Sequence, residues 1–158
     1  MRVQYLLAAC LAALSPMLSG AGRSDLQRGR YLVTVGSCND CHTEGYAASG
    51  GSLREAQWLT GRRVGFKGPW GTTYAPNLRL LVQGMSEAEW MRRAGKPVRP
   101  PMPWFSLKAM TDSDRRDVYR YIRSLGPAGT PAPSYVAPGG HVVTPYEDFT
   151  IVENAGKP

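Results

Sequence analysis

The sequence predicts an all-α fold in which three to five helices are joined by long loops and followed by an extended C-terminal tail. Helix-start signals precede amphipathic segments near residues 24, 86 and 111, and the stretches between and after them are rich in glycine and proline. The chain has 158 residues, of which 42% are hydrophobic and 20% charged. That length accommodates one compact domain with tails and gives no reason to expect a second domain.

The first predicted helix begins at Ser24-Asp25, which can cap its N-terminus, and runs to about Ser37. Small and apolar residues recur along one stripe of this segment at the helical spacing i, i+3, i+4 and i+7. The stripe consists of Gly29, Leu32, Val33 and Gly36. Its small residues predict close packing against another helix.

The second predicted helix has a capping box. Ser86 can cap its start together with Glu89, three residues later, and the helix continues to about Ala94 before Gly95 and Pro97 end it.

The last predicted helix begins within residues 111–114 and stops at Gly126-Pro127. Its apolar face carries Val118, Tyr121, Ile122 and Leu125.

The remaining segments are predicted to be loops. Residues 43–81 contain many glycines and turn-forming pairs, with one short helix expected near 53–58. Such a long irregular stretch is unusual in a small domain and needs something to pack against, which a cofactor would supply. Prolines make residues 99–104 a stiff extended segment. Residues 127–158 are a Pro- and Gly-rich C-terminal extension expected to lie over the domain.

The N-terminal segment has the pattern of an export signal. Arg2 provides the positive start, residues 5–18 are apolar almost without interruption, and small residues at 19–21 allow cleavage. We therefore predict that residues 1–21 are a signal peptide, that residues 22–126 form the domain, and that the mature protein is periplasmic.

The cysteine count is simplified by this prediction, because Cys10 lies in the signal peptide. A lipoprotein anchor at Cys10 is the alternative and would place the protein on a membrane, but the apolar run continues past this residue, which favours cleavage. The mature chain keeps Cys38 and Cys41, too few for a disulfide framework.

These two cysteines belong to Cys38-Asn39-Asp40-Cys41-His42, the attachment pattern for c-type haem. At a helix end, residues i and i+3 project to the same side, so both thiols can reach the two vinyl groups on one edge of the macrocycle and form thioethers. His42 can then turn its imidazole under the iron as the proximal ligand. The motif occurs once, which predicts one haem c with the helices packed around it.

Two other chemistries use closely spaced cysteines. A structural zinc site needs four ligands, and the mature chain offers only His141 in addition to the motif. A thioredoxin-type dithiol is expected in a βαβ setting, and no strand-like run precedes Cys38. The ligand residues available in the mature chain therefore favour haem attachment over both alternatives.

The second axial ligand decides whether the iron is six-coordinate or keeps an open sixth position. Met102 is held between prolines, so it can stay near the iron at a small ordering cost. Met85, Met91 and Met110 lie beside or inside helices, where methionine most often fills core gaps, and His141 lies in the tail. We predict Met102 as the ligand, with Met110 and His141 as alternatives.

Several of these segments resemble class I cytochromes c. They are Gly29-Arg30-Tyr31-Leu32, the haem motif, Tyr74-Ala75-Pro76-Asn77-Leu78, Pro101-Met102-Pro103-Trp104 and the helix at 118–125. The resemblance covers about residues 24–126 and is strongest to the haem modules in cytochrome subunits of membrane-bound bacterial alcohol, gluconate and aldehyde dehydrogenases. It implies the class I cytochrome c fold, with the first and last helices crossing at Gly29 and Met102 opposite His42.

Further contacts to the cofactor are predicted for three side chains. Trp70, Tyr74 and Asn77 are expected to pack on the macrocycle or to hydrogen-bond a propionate, with plain core packing as the alternative. Pro69 is expected to present its carbonyl to the ring N–H of His42.

Basic residues precede the Met102 segment, namely Arg92, Arg93, Lys96 and Arg99. They are predicted to surround an exposed haem edge and to steer an acidic partner, and a solvated helix face is the alternative. The formal net charge is +7. Nucleic acid is not predicted as a partner, because the chain is exported and contains no nucleic-acid-binding motif.

Together these features predict a one-electron carrier rather than an enzyme, because His/Met ligation keeps the iron six-coordinate in both oxidation states. Its donor would be a periplasmic or membrane-bound dehydrogenase or reductase, and its acceptor another cytochrome or an oxidase. One alternative is a catalytic or gas- or peroxide-sensing haem with an open sixth position. Another is a fixed relay subunit that docks through its tail. The tail residues considered for docking are Tyr135, Val142, Val143, Tyr146 and Phe149.

Overall fold

The computed structural model describes residues 15–152, with side chains from Asp25 onward. The signal-peptide prediction for residues 1–21 concerns a segment that lies mostly outside the described residues. Within them, the chain forms six α-helices and a small three-stranded sheet. The helices are α1 (Ser15–Val35), α2 (Cys38–His42), α3 (Leu78–Gln83), α4 (Glu87–Ala94), α5 (Trp104–Ala109) and α6 (Asp112–Ser124). The strands are β1 (Gly65–Gly68), β2 (Gly71–Thr73) and β3 (Tyr146–Asp148).

Helices α1 and α6 pack against each other at Gly29, as the small-residue stripe predicts. A Cβ atom at Gly29 would lie 2.1 Å from the carbonyl oxygen of Asp117 and 2.7 Å from the Cβ of Tyr121, so only glycine allows this approach. The chain is already helical at Ser15, so the predicted cap at Ser24-Asp25 lies inside the helix and the prediction of a start there was wrong.

The hydrophobic core lies between α1, α3, α4 and α6. Its members are almost fully excluded from solvent and include Val33, Val82, Trp90, Val118 and Ile122. In the described residues, no helix is apolar over enough of its length to span a bilayer.

The other two predicted helix starts, at Ser86 and at residues 111–114, are confirmed. The backbone N–H of Ser86 donates to the Glu89 carboxylate at 2.7 Å while the Glu89 N–H donates to the Ser86 hydroxyl, which completes the capping box of α4. The hydroxyl of Thr111 accepts from the N–H of Asp114 at 3.1 Å and starts α6. These helices therefore begin where their side chains indicate.

The sheet, α3 and α5 are additions to the predicted all-α architecture, and six helices replace the expected three to five. β1 pairs antiparallel with β2 and parallel with β3, which comes from the C-terminal extension. Each strand has three or four residues, too few to show an alternating pattern. The protein is mostly helical with long loops, which is compatible with the class I cytochrome c fold.

The extension is attached to the domain through Asn77, which is only 4% exposed. Its side-chain oxygen accepts from the N–H of Leu80 at 3.0 Å and caps α3. Its side-chain N–H groups donate to the carbonyls of Ala128 at 2.7 Å and Thr130 at 3.2 Å. One side chain thus starts a helix and holds the beginning of the extension.

We expect Asn77→Ala to lower the free energy of unfolding by about 2–3 kcal/mol, because it removes a cap and the hydrogen bonds that a buried side chain donates to the carbonyls of Ala128 and Thr130. Ser86→Ala, which removes an exposed cap only, should cost about 1 kcal/mol. Denaturant titration of both variants measures the difference. Equal losses would contradict the role of Asn77 in holding the extension.

Candidate haem-binding site

The cysteine motif forms a single helical turn, α2. The chain enters it through Ser37, which has a left-handed backbone (φ 54°), and leaves it at Thr43 in an extended conformation. Cys38 and Cys41 are both free thiols. Burial raises the pKa of the Cys38 thiol to about 11 and also raises the pKa of Cys41. Both sulfur atoms are therefore protonated near neutral pH and are not engaged with each other.

His42 is almost completely buried, with 6% of its surface exposed, and its ring has a fixed orientation. Its Nδ1 lies 2.8 Å from the carbonyl oxygen of Pro76. A carbonyl can only accept, so Nδ1 carries the hydrogen and donates it. Burial lowers the pKa of His42, which favours the neutral ring. Nε2 then keeps its lone pair, as a metal-ligating imidazole requires.

The acceptor for His42 was predicted wrongly. Pro69 is exposed and lies in the turn between β1 and β2, whereas Pro76 stands at the entrance to α3. The fold brings the second of these prolines to the imidazole, and the contact is otherwise of the predicted kind, a backbone carbonyl that orients the ring.

The backbone of the motif is held by residues that sequence reasoning did not select. The N–H of Gly61 donates to the carbonyl of His42 at 2.8 Å. Gly61 has φ +85°, and a Cβ there would lie 2.8 Å from the backbone nitrogen of Asn77. Gly61 therefore lets the His42 and Pro76 segments approach each other. The sequence did not single it out, because the surrounding loop contains many glycines.

Thr43, which is 2% exposed, also holds the motif in place through hydrogen bonds. Its hydroxyl donates to the Asn39 side-chain oxygen at 2.6 Å and accepts from the N–H of Leu59 at 2.7 Å. The turn that carries the two thiols is thereby tied to the following loop.

A cleft of about 460 Å³ opens beside the motif. Cys41 lines it together with Pro101, the residue before Met102, so the two segments predicted to hold the iron border the same space. The wall also includes the aromatic side chains of Tyr46, Phe66 and Phe149. The volume is in the range of ligand pockets, and Cys38, His42 and Met102 are not among the lining residues.

The candidate second ligands occupy different surroundings. Met85, Met91 and Met110 pack against the hydrophobic core, as the sequence suggests for core filler. Met102 is partly buried on the segment beside the cleft and is not among the residues that pack on that core, and His141 is exposed. Of the methionines with described side chains, Met102 is therefore the one left free of core packing.

Trp70, Tyr74 and Asn77, the three side chains predicted to contact the cofactor, differ in whether their polar atoms already have hydrogen-bond partners. Asn77 uses its polar atoms on backbone groups, and the hydroxyl of Tyr74 lies 2.7 Å from the hydroxyl of Thr144. Trp70 has a buried indole N–H without a hydrogen-bond partner in the described structure. A buried donor of this kind calls for an acceptor, which a carboxylate of a bound cofactor would provide. The role of all three in cofactor binding stays a prediction.

The free thiols, the oriented neutral imidazole, the unpaired indole N–H and the aromatic cleft together fit haem c, and they are typical of a haem-binding protein. A family model described as cytochrome c matches residues 26–126, and the chain therefore belongs to the cytochrome c family. Membership implies covalently bound haem c and electron transfer as the general role.

Relatives with curated names include subunits of oxidoreductases. The fructose dehydrogenase cytochrome subunit of Gluconobacter japonicus is 27% identical over 135 residues, which are 78% of this chain and 26% of that protein. A nicotinate dehydrogenase subunit from Pseudomonas putida is 28% identical over 122 residues, 69% of this chain and 9% of the relative. The cytochrome c subunit of a quinone alcohol dehydrogenase from Gluconacetobacter polyoxogenes is 28% identical over 108 residues, 61% of this chain and 21% of the relative.

The chain thus spans between 9% and 26% of the length of these relatives. No solved structure gives a significant match.

Proposed function

We propose that this protein is a periplasmic one-electron carrier with a single haem c, attached through Cys38 and Cys41 and ligated by His42 and Met102. The observation that carries the proposal is the orientation of His42, whose Nδ1 is bonded to the Pro76 carbonyl and whose Nε2 is left to bind a metal. When bound, haem c supplies the one-electron couple of its iron. The protein would contribute two ligands, of which His42 is buried and oriented by its backbone partner.

Ligation by Met102 suits this role. A histidine and a thioether hold the iron six-coordinate in both oxidation states, so an electron is exchanged with little rearrangement, and the thioether raises the reduction potential. Met102 is flanked by Pro101 and Pro103, which restrict the backbone that carries the sulfur.

The ligand assignment is tested by the visible spectrum of the reduced protein with and without carbon monoxide. We expect no change for the unmodified protein and a clear shift for Met102→Ala, because that variant opens the sixth position. Met110→Leu should behave like the unmodified protein. A shift in the unmodified protein would favour the open, gas- or peroxide-binding haem, and a shift confined to Met110→Leu would transfer the ligand role to Met110.

The electron donor is proposed to be a dehydrogenase, because the curated relatives are named as dehydrogenase subunits. The electron would then pass to an acceptor cytochrome or an oxidase. Several tail residues considered for partner docking contact their own domain: the Tyr135 hydroxyl donates to the Trp70 carbonyl at 2.9 Å, and Phe149 packs on Phe66. This favours a carrier whose docking surface lies elsewhere.

We place that docking surface on the segment around Met102. Residues 90–110 contain no Asp or Glu, and their cations are all exposed: Arg92, Arg93, Lys96, Arg99 and Lys108. None of these cations takes part in the ion pairs seen among residues 25–152. Phe105, 62% exposed, and Val98, 42% exposed, add apolar surface to the same segment. An apolar patch among unneutralised cations suits an acidic protein partner.

Charge reversal tests this surface. With ferricyanide as an anionic oxidant, Lys96→Glu should slow the oxidation of the reduced protein several-fold at low ionic strength, where charges act over about 30 Å. Arg54→Glu changes the net charge equally at an exposed position outside the segment and is the control. Equal slowing by both variants, or a loss that persists in high salt, would show a global or structural effect instead.

A further inference from the structure

The C-terminal extension lies outside residues 26–126, the part of the chain that matches the family model, yet it returns to the domain at two places. Thr72 and Val136 exchange backbone hydrogen bonds of 2.8 and 3.0 Å, which place the extension along one edge of the sheet. At the other edge, β3 pairs in parallel with β1, with Phe66 opposite Glu147. Both edges of the β1–β2 hairpin are therefore paired with the extension.

The second contact brings the extension to the candidate haem cleft. Glu147 and Phe149 line that cleft together with Cys41 and Pro101. The N–H of Phe149 donates to the carbonyl of Lys67 at 2.7 Å, which fixes the backbone there. Its ring lies 5.9 Å from that of Phe66, centre to centre, in an edge-on arrangement, and 6.2 Å from that of Trp70. Phe149 is thus one wall of the cleft rather than part of a loose tail.

Glu147 lines the same cleft and forms an ion pair there. Its carboxylate accepts from the guanidinium of Arg62, whose side chain is only 18% exposed. The guanidinium also lies over the Phe66 ring, 5.2 Å from its centre. Arg62 and Glu147 line the cleft together with Cys41, which places both charges near this sulfur. A mostly buried cation beside the attachment point is thereby neutralised by the extension.

We infer that the C-terminal extension closes the Cys41 edge of the haem, with Phe149 as the covering side chain and Glu147 as the counter-ion of Arg62. Electron exchange is then left to the part of the haem that the extension does not cover. This inference rests on the proposed haem attachment. It assigns a specificity role to a part of the chain that the family model does not include.

The chemistry predicts two separable effects. Removing the Phe149 ring opens a path for a small reductant to the covered edge. Removing the Glu147 charge leaves Arg62 uncompensated, and an uncompensated cation near the iron stabilises the reduced state, which carries one positive charge less. The midpoint potential therefore rises.

The experiment uses the full mature chain with its haem. Phe149→Ala should speed reduction by ascorbate several-fold, and Ile151→Ala, at a position 89% exposed, should leave the rate unchanged. Glu147→Gln should raise the midpoint potential, and Glu147→Asp should restore it at least in part. Glu147→Gln alters a side chain that is half exposed, so the test survives if Phe149→Ala fails to fold.

An ascorbate rate in Phe149→Ala equal to that of the unmodified protein, or a potential in Glu147→Gln that does not rise, would overturn the inference. Failure of the underlying haem assignment has a different signature, because the unmodified protein would then lack the absorption of a covalently bound haem. The two outcomes are read from the same samples.

Discussion

The protein with serine in place of both Cys38 and Cys41 is expected to lose covalently bound haem completely. A serine hydroxyl does not form the thioether that joins a cysteine sulfur to a vinyl carbon, so any haem that still binds through His42 is held only by coordination and packing. Intact-mass measurement of the exported protein should show the polypeptide alone. Extraction with acidified acetone should remove all residual haem colour.

The single variants provide the matched comparison. Cys38→Ser and Cys41→Ser each keep one thiol, so each should retain haem through one thioether. Cys38 is the more buried sulfur, and Cys41 borders the cleft. Haem that stays with the double variant through acid extraction would refute attachment at this motif.

Gly29→Ala is expected to destabilise the protein by about 3 kcal/mol, at the upper end of the cost of overpacking. The new methyl group would lie 2.1 Å from the Asp117 carbonyl oxygen, and the backbone on both sides belongs to packed helices that cannot yield locally. Thermal unfolding should show a midpoint lower by roughly 10 °C.

The control for that variant is Gly84→Ala. Gly84 has a negative φ of −87°, and the nearest heavy atom to an added Cβ is 3.7 Å away, an ordinary contact. This variant should unfold within about 0.5 kcal/mol of the unmodified protein. If Gly29→Ala were equally harmless, α1 and α6 would not be packed as closely as described.

Local chemistry explains which parts of the fold were predictable. The helices at Ser86 and Thr111 carry their caps in their own side chains, and the stripe through Gly29 marks the close helix pair. Helices α3 and α5 have six residues each, too few for a periodic pattern. β3 pairs with a strand about eighty residues earlier, and such non-local pairing leaves no trace in a three-residue segment.

The candidate haem site also combines residues that the local sequence predicts with residues whose contacts form only in the folded chain. The haem motif is a contiguous pattern, so its spacing alone predicts the three residues that would hold the cofactor. The acceptor for His42 could not, because Pro69 and Pro76 are equally plausible along the chain and only the folded loop decides between them. Gly61 and Thr43 were missed for a related reason, since their contacts depend on segments that meet only in the folded protein.

The hydrogen bond between His42 and Pro76 has a consequence for engineering. Because the acceptor is a main-chain oxygen, no substitution at position 76 deletes it, and every sequence that keeps this loop conformation inherits the same electron donation to the imidazole. The proximal side is in this sense fixed by the backbone. Under the proposed ligation, tuning of the midpoint potential by mutagenesis begins at Met102 or at the charges that surround the cleft.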